Sequence, residues 1–465
     1  MVVIKFGGTS VGAAEQIDRA ARIVHSMRER KPMVVVSAMA GVTDALLQAG
    51  EAAVSGQAAV RDERLTGIRE RYREAIRRLF DDPETARAVE EGQMRTWGEI
   101  QEIFTGVSLL REMSVRSRDL ISSAGERLMA PLFAQYLTAI GLPAESVDAR
   151  EIIVTSESVD LSPVDFLETR RRSKKLVAMV KSGVTPVVTG FICSTPDGVT
   201  TTLGRGGSDY TASIIGSCVS AAEIQIWTDV SGVMTADPRI VPDARVLDRV
   251  SYKEAGEMSY FGAKVLHPQT IMPAVDENIP ILIKNTFAPG DPGTLISSET
   301  PAHRYGVKTV TSINGMTLVS VEGRGMIGVP GVAGRVFVTT ARHRISVLMF
   351  SQGSSEQHIS LVISKREGEQ TVKALQREFE VEIERRRIDR VTAISSIAII
   401  ALVGDGIKGA PGVAARAFGT LGAAAINILM IAQGSSELNL SFVVDEKDAP
   451  RAVRLLHEAF ELAAG

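Results

Sequence analysis

Residues 325–333 read Gly-Met-Ile-Gly-Val-Pro-Gly-Val-Ala, and 81 positions later residues 406–414 read Gly-Ile-Lys-Gly-Ala-Pro-Gly-Val-Ala. The same ungapped spacing sets Arg335 against Arg416, Phe337 against Phe418, Ile345 against Ile426, and Gln352-Gly353-Ser354-Ser355-Glu356 against Gln433-Gly434-Ser435-Ser436-Glu437. A register held that long requires one small unit built twice. Each copy offers a Gly/Pro turn, a helix around its phenylalanine, a β-branched strand (345–347 or 426–428), a polar turn, a second strand (359–363 or 438–444) and a closing helix (370–379 or 449–460). The pattern predicts an α+β module whose helices cover one face of a sheet. Neither turn carries a nucleophile beside a base, so the repeats point to ligand binding rather than chemistry.

Upstream the period changes. Val2-Val3-Ile4-Lys5 predicts a strand, Gly7-Gly8 a turn, 11–30 an amphipathic helix and 33–37 a second strand, the start of an open sheet with helical crossovers. Runs at 186–192, 224–228 and 280–283 are short and mainly apolar, as expected of parallel strands covered on both faces, while 209–217 and 254–266 carry helical periodicity. In such sheets ligands collect beyond the carboxyl ends of the strands. From about 50 to 117 charges cluster at helical spacings, including 61–73, which predicts a helical insertion with a solvated face. Pro, Gly and Ser crowd 289–303 and place a domain boundary near residue 300.

Charge and cysteine usage exclude several classes. Over 465 residues, 52 basic side chains nearly balance 55 acidic ones, which removes the global electrostatic case for a nucleic-acid partner. Cys193 and Cys218 belong to no CxxC pair, which argues against a disulfide framework or structural zinc and for a reducing cytoplasmic setting. Apolar runs such as 397–403 fall short of the roughly 20 residues a bilayer helix needs, and a strand beginning at Val2 leaves no room for a secretory leader. No membrane partner is expected.

Four stretches carry the chemistry. Lys5-Phe6-Gly7-Gly8-Thr9-Ser10 follows a strand directly; its glycines let backbone amides approach phosphate oxygens while Lys5 presents a cation. Residues 200–209, Thr-Thr-Thr-Leu-Gly-Arg-Gly-Gly-Ser-Asp, form a second glycine loop feeding a helix. Ser208 or Asp209 suits the N-cap, and Arg205 between glycines can present its fork to a carboxylate or another oxyanion. The acidic and hydroxyl-bearing stretch 227–239 suits ribose hydroxyls or the ordering of a phosphate-binding cation, while in 261–268 His267 before Pro268 reads as turn packing rather than a general base. No Gly-x-Ser-x-Gly elbow or His-Glu-x-x-His helix is present. Phosphoryl transfer to a carboxylate needs neither, because an acid with a pKa of about 4 is already ionised at pH 7. The difficulty lies in bringing two anions together, and Lys5, Arg205 and Lys264 can screen that repulsion.

These motifs, together with Val36-Ser37-Ala38-Met39 and Ser123-Ala124-Gly125-Glu126-Arg127, stand in the order found in the aspartate kinases of the amino-acid kinase fold, a family the chain resembles over nearly its whole length. The resemblance implies an α/β/α sandwich with a largely parallel sheet over 1–298, with its helical insertion at about 50–117, and two α+β ferredoxin-like ACT modules, 314–388 and an interlocked 299–313 plus 389–465. It implies transfer from ATP, with Mg2+, to L-aspartate, giving 4-phospho-L-aspartate for lysine, threonine, methionine and diaminopimelate synthesis. Lys5, Gly7, Gly8, Arg205 and Asp209 would form the catalytic set, Lys5 bridging the transferred phosphate and the β-carboxylate and Asp209 orienting Lys5 or the metal–nucleotide complex. Thr9, Ser37 and Ser208 would line the aspartate pocket, Glu126 would accept the ammonium, Arg205 would grip the α-carboxylate, and Gly206 and Gly207 would add backbone contacts. Thr228, Asp229, Asp237, Arg239, Lys264 and Val265 match nucleotide positions, as does Met234, where relatives commonly carry tyrosine. The two Gln-Gly-Ser-Ser-Glu turns look like those of the threonine-sensitive branch, making Gln352, Gln433 and Asn427 the expected effector contacts. Threonine is the expected effector, lysine the alternative, and pairing through the ACT modules implies a homodimer or a dimer of dimers. No direct metal ligand is assigned.

Overall fold

The computed structural model describes residues 1–155, 163–262, 266–299, 306–353, 357–434 and 437–464. Contacts divide the chain into two units, Met1–Val233 with Asp248–Tyr252 and Val265–Thr300, and Met234–Leu247 with Lys253–Lys264 and Pro301–Gly465.

The described strands of the first unit are β1 (Val2–Phe6), β2 (Pro32–Val36), β3 (Ala144–Val147), β4 (Thr185–Thr189), β5 (Ile192–Ser194), β6 (Thr200–Thr202), β7 (Glu223–Thr228), β8 (Arg249–Ser251), β9 (Ile281–Asn285) and β10 (Thr294–Ser297). Eight join in the order β3-β4-β2-β1-β7-β9-β10-β8. Pairing is parallel from β3 to β9, β10 runs antiparallel to β9, and β8 is parallel to β10. Strands β1, β2 and β4 are buried along their whole length, as runs of Val and Ile covered on both faces should be. Phe6 stands level with Val36 on one side and Trp227 on the other, so the loops after β1, β2 and β7 leave the sheet side by side.

The insertion is helical, with helices Ala58–Leu79 and Pro83–Leu110. It is more than a solvated face: Tyr72, Ile76, Trp97, Ile100 and Phe104 join the same core as Phe6 and Phe133, each worth about 1.5–3 kcal/mol of burial. Three expected boundaries move. The helix expected at 11–30 is Ala14–Ser26 between single 3-10 turns, Gly8–Val11 and Arg28–Arg30, and Lys31 at φ +56° ends it. The run 186–192 is split, because Gly190 donates its amide to Val36 O at 2.8 Å and Phe191 bends at φ +69° before β5. The helix expected at 254–266 is Tyr252–Tyr260, with Gly262 at φ +100° beyond it.

In the second unit, β11 (Thr309–Glu322), β12 (Met349–Gln352), β13 (His358–Ser364), β14 (Arg390–Val403), β15 (Met430–Ala432) and β16 (Asn439–Asp445) form an antiparallel sheet ordered β12-β13-β11-β14-β16-β15. The two long central strands serve both repeats. Residues 309–313 pair with 399–403 and residues 317–322 with 390–395, with a register shift between Ile313 and Met316. Strand β13 pairs with the second segment of β11 and β16 with the second segment of β14. Helices Val332–Arg342 and Gly368–Glu378 belong to the first repeat, and Val413–Ala423 and Ala449–Ala459 to the second. Each repeat has its own core, one around Val336, Leu361 and Phe379, the other around Leu421, Phe442 and Phe460. The strands expected at 345–347 and 426–428 lie later, as β12 and β15. Arg344 and Ala425, at φ +56° and +55°, close the preceding helices, and the Ile345 and Ile426 amides bond back to Thr340 O and Leu421 O. Among the described residues no helix is long and apolar enough to cross a membrane.

Candidate active site

Strand β1 delivers Lys5 to the carboxyl end of the first unit's sheet, where it is only 7% exposed. Its Nζ lies 2.6 Å from Oδ1 of Asp209, in the first turn of helix Gly207–Cys218. The pair is close but not aligned as a hydrogen bond, and this buried Oδ1 has no hydrogen-bond donor. Asp209 is not the helix cap: Gly206 takes that position at φ +71° without a side-chain bond, leaving the carboxylate to Lys5. Gly8 is equally constrained, since a Cβ there would sit 2.9 Å from the Ala38 carbonyl oxygen. The first glycine loop therefore approaches the β2 loop with nothing but backbone, and the amides opening helix Gly207–Cys218 favour an anion.

A cavity of about 350 Å³ lies between them, lined by Lys5, Gly8, Ser37, Glu126, Gly206, Gly207, Ser208 and Asp209, with Ala38–Gly41, Thr43, Asp44, Phe191 and Gly204 completing its wall. The first eight are residues the sequence singles out. Glu126 opens helix Ala124–Ala139, is 4% exposed, and keeps Oε2 without a hydrogen-bond partner. Burial pushes its carboxyl up to about 8 against the opposing pull of the Ala38 and Glu126 backbone amides. Gly7 is buried, and Thr9 and Arg205 are exposed outside the cavity lining. A larger cavity of about 770 Å³ is lined by Glu15, Asp18, Arg22 and Arg78 among others. There Arg22 pairs with Asp18 at 2.9 Å and Arg78 with Glu15 at 2.8 Å, so those charges are already matched. The smaller cavity is the one that holds a buried carboxylate oxygen, Glu126 Oε2, without a hydrogen-bond partner.

The expected nucleotide residues divide between the units. In the first, Thr228 ends β7 and donates from Oγ1 to Asp229 Oδ1 at 3.1 Å. In the second, Met234 is half-buried in an antiparallel bridge to Val246, and Arg239 binds Asp237 through Nε at 3.0 Å and Nη2 at 2.6 Å. Lys264 and Val265 lie outside the described residues. Gln352 ends β12, Gln433 follows β15, and Asn427 lies between helix Val413–Ala423 and β15; all three are exposed. His267 sits at the N-cap of helix Pro268–Asp276 without a capping bond, its Cβ near Gly206, as turn packing requires. Phe191, Thr43 and Asp44 were not legible as cavity residues; the positive φ of Phe191 has no counterpart in a sequence pattern. Among the described residues no group of three His, Cys, Asp or Glu side chains is placed to hold a metal.

The sequence matches the amino acid kinase family over residues 1–285 and the ACT domain over 319–379 and again over 400–460. It is 36% identical to bifunctional aspartokinase/homoserine dehydrogenase 1 of Zea mays, covering 99% of this chain and 50% of that protein. The chain thus spans about half the length of the bifunctional relatives it matches. It is also 36% identical to aspartokinase 3 of Arabidopsis thaliana, over 98% of this chain and 81% of that protein. Among solved structures, E. coli aspartokinase III in complex with aspartate and ADP, an R-state, superposes with a TM-score of 0.82 at 32% identity over 99% of both chains. The same protein with lysine and aspartate, a T-state, gives 0.79 at 32% identity, again over 99% of both chains. With a largely parallel-sheet unit carrying two glycine loops and, later in the sequence, a twice-repeated α+β unit, the chain belongs to the amino acid kinase family, among its aspartokinases with paired ACT domains.

Proposed function

We propose that the chain transfers the γ-phosphoryl group of ATP to the β-carboxylate of L-aspartate, giving ADP and 4-phospho-L-aspartate at the entry to lysine, threonine and methionine synthesis. The observation that carries this reading is Glu126, a buried carboxylate with an unpartnered oxygen in a cavity that is also lined by Lys5 and by a helix N-terminus. Such a site takes a ligand that is cationic at one end and anionic at the other, as an α-amino acid is. The E. coli relative has been solved with aspartate and ADP, which supports aspartate as the acceptor and an adenine nucleotide as the donor.

On this reading the substrate ammonium meets Glu126, and Arg205, on the exposed loop beside Gly206, closes on the α-carboxylate. The β-carboxylate needs no base, being ionised already. One of its oxygens forms a bond to the γ-phosphorus as the bond to the β–γ bridging oxygen breaks, and the electron pair leaves with ADP. Lys5 Nζ neutralises charge between the two anions, and Asp209 fixes its position. Mg2+ would come with the nucleotide and neutralise charge on its phosphates, and Asp209, whose buried Oδ1 is ion-paired with Lys5 at 2.6 Å, would be the protein carboxylate facing that complex. Thr228, Asp229, Met234, Asp237, Arg239, Lys264 and Val265 are assigned to the nucleotide.

The division into a kinase domain (1–298) and two ACT modules (314–388, and 299–313 with 389–465) follows the same reading, as does assembly as a homodimer or a dimer of dimers. L-threonine is assigned as feedback inhibitor through Gln352, Gln433 and Asn427; lysine is the second candidate because the E. coli relative has been solved with it. Inhibition requires that the effector bind one state of the protein better than the other. Initial rates with each amino acid test this: threonine should raise the aspartate concentration needed for half-maximal rate, and Gln352→Ala or Gln433→Ala should weaken its effect. A substrate response unchanged by saturating threonine contradicts the assignment.

A further inference from the structure

Helix Ala58–Leu79 turns one pair of neighbouring residues towards the cavity wall. Tyr72 is 0% exposed, and its hydroxyl donates to the carbonyl of Gly125, the residue before Glu126, at 2.9 Å. Arg71 donates from Nη2 to Ala40 O at 3.0 Å and to Gly12 O at 3.3 Å, tying the loop after β2 to the end of the first glycine turn. Ala40 and Glu126 line the same cavity. The first turn of helix Ala124–Ala139 is pressed against that loop: a Cβ on Gly125 would lie 2.5 Å from Ala38 Cβ. A small displacement of the Gly125 peptide therefore moves the Glu126 carboxylate relative to the loop facing it.

Phenylalanine would fill the same volume without burying a hydroxyl, so packing alone does not account for a tyrosine here. Burial and the nearby Glu126 charge both push the Tyr72 pKa up, so its hydroxyl stays a donor. We propose that Tyr72 is a positioning residue for Glu126: its bond to the Gly125 carbonyl fixes the peptide that carries the ammonium-binding carboxylate. Arg71 holds the facing loop from the same turn of the insertion. The inference rests on the assignment of Glu126 to the substrate ammonium.

The test compares wild type, Tyr72→Phe and Glu126→Gln in the full chain, measuring aspartate Kd by calorimetry, KM for aspartate and for ATP, kcat, and Tm. Tyr72→Phe should raise aspartate Kd and KM about fivefold, within the scale of one buried hydrogen bond, while KM for ATP and kcat stay near wild type and Tm falls by no more than the few degrees that the lost bond is worth. Aspartate binding unchanged in Tyr72→Phe, with Glu126→Gln defective, overturns the positioning role alone. A Tyr72→Phe chain that loses both substrates together, or does not fold, overturns it as well, because the tyrosine then acts through the core. Aspartate binding as tight in Glu126→Gln as in wild type removes the assignment beneath it.

Discussion

The environment of Glu126 moves the pH dependence of aspartate capture from the ordinary carboxylate range up into the neutral range. Only the ionised form can pair with an ammonium, and burial without a counter-charge pushes this carboxyl up to about 8. At pH 6 a group titrating near 8 is ionised in about one molecule in a hundred, and at pH 7 in about one in ten. Since kcat/KM reports the free enzyme, its value for aspartate should climb roughly tenfold per pH unit from 6 towards 8 and then level off. The profile of kcat should be shallower, because the bound ammonium favours the ionised carboxylate once the complex has formed. Initial rates of ADP formation from pH 6 to 9, at saturating ATP and varied aspartate, give both profiles. Glu126→Gln should give a low kcat/KM without this rise. A wild-type kcat/KM that is flat between pH 6 and 8 refutes the reasoning, since the carboxylate would then be ionised throughout.

The same carboxyl affects stability. Its folded pKa lies above the unfolded value, so its contribution is fully present below the ordinary carboxylate range and is lost as pH rises through about 8. In the absence of substrate, denaturant titrations should show wild type losing stability over that window by up to a few kcal/mol, and Glu126→Gln lacking that loss. Lys5→Met should lower kcat by about a thousandfold, as loss of charge stabilisation at a transferring phosphoryl group does, without abolishing the calorimetric signal of nucleotide binding. Gly206→Ala places a Cβ 3.0 Å from Thr270 Cγ2 at φ +71°, and Tm measurements should register a cost of about 1–2 kcal/mol from the left-handed backbone alone. In the second unit, buried Lys308 lies 2.9 Å from Glu254; Lys308→Met should destabilise by about 3–5 kcal/mol, and Lys308→Met with Glu254→Leu by less than the sum of the two single changes.

Much of the architecture could be read before the structure, where a residue's surroundings are set by its own strand or turn. The apolar run 2–6, the glycines after it and the helix opening at Gly207 are local features, and the structure brings Lys5, Gly8 and Asp209 to one cavity. The repeat likewise announces the second unit's doubled design. Local pattern fails where β-branched content and ladder pairing part company: Ile345 and Ile426 lie in extended chain closing the preceding helix, while the less β-branched runs 349–352 and 430–432 take the edge positions. It fails again at Tyr72, whose partner is 53 residues away and whose helix reads as a charged surface element. Arg205, prominent in the sequence between its glycines, lies outside the cavity lining, because its exposed loop places only backbone and small side chains against the wall.

The most direct test of the account is the initial rate of ADP formation by the purified chain with Mg-ATP and L-aspartate, with glutamate, N-acetylglutamate and carbamate tried in its place and hydroxylamine added to trap acyl phosphate. Turnover with aspartate and not with the other acceptors, with the aspartyl hydroxamate accumulating in step with ADP, is the predicted result. Absence of aspartate-dependent ADP formation, or equal turnover with acceptors that lack a free α-ammonium, contradicts the roles given to Glu126 and Lys5.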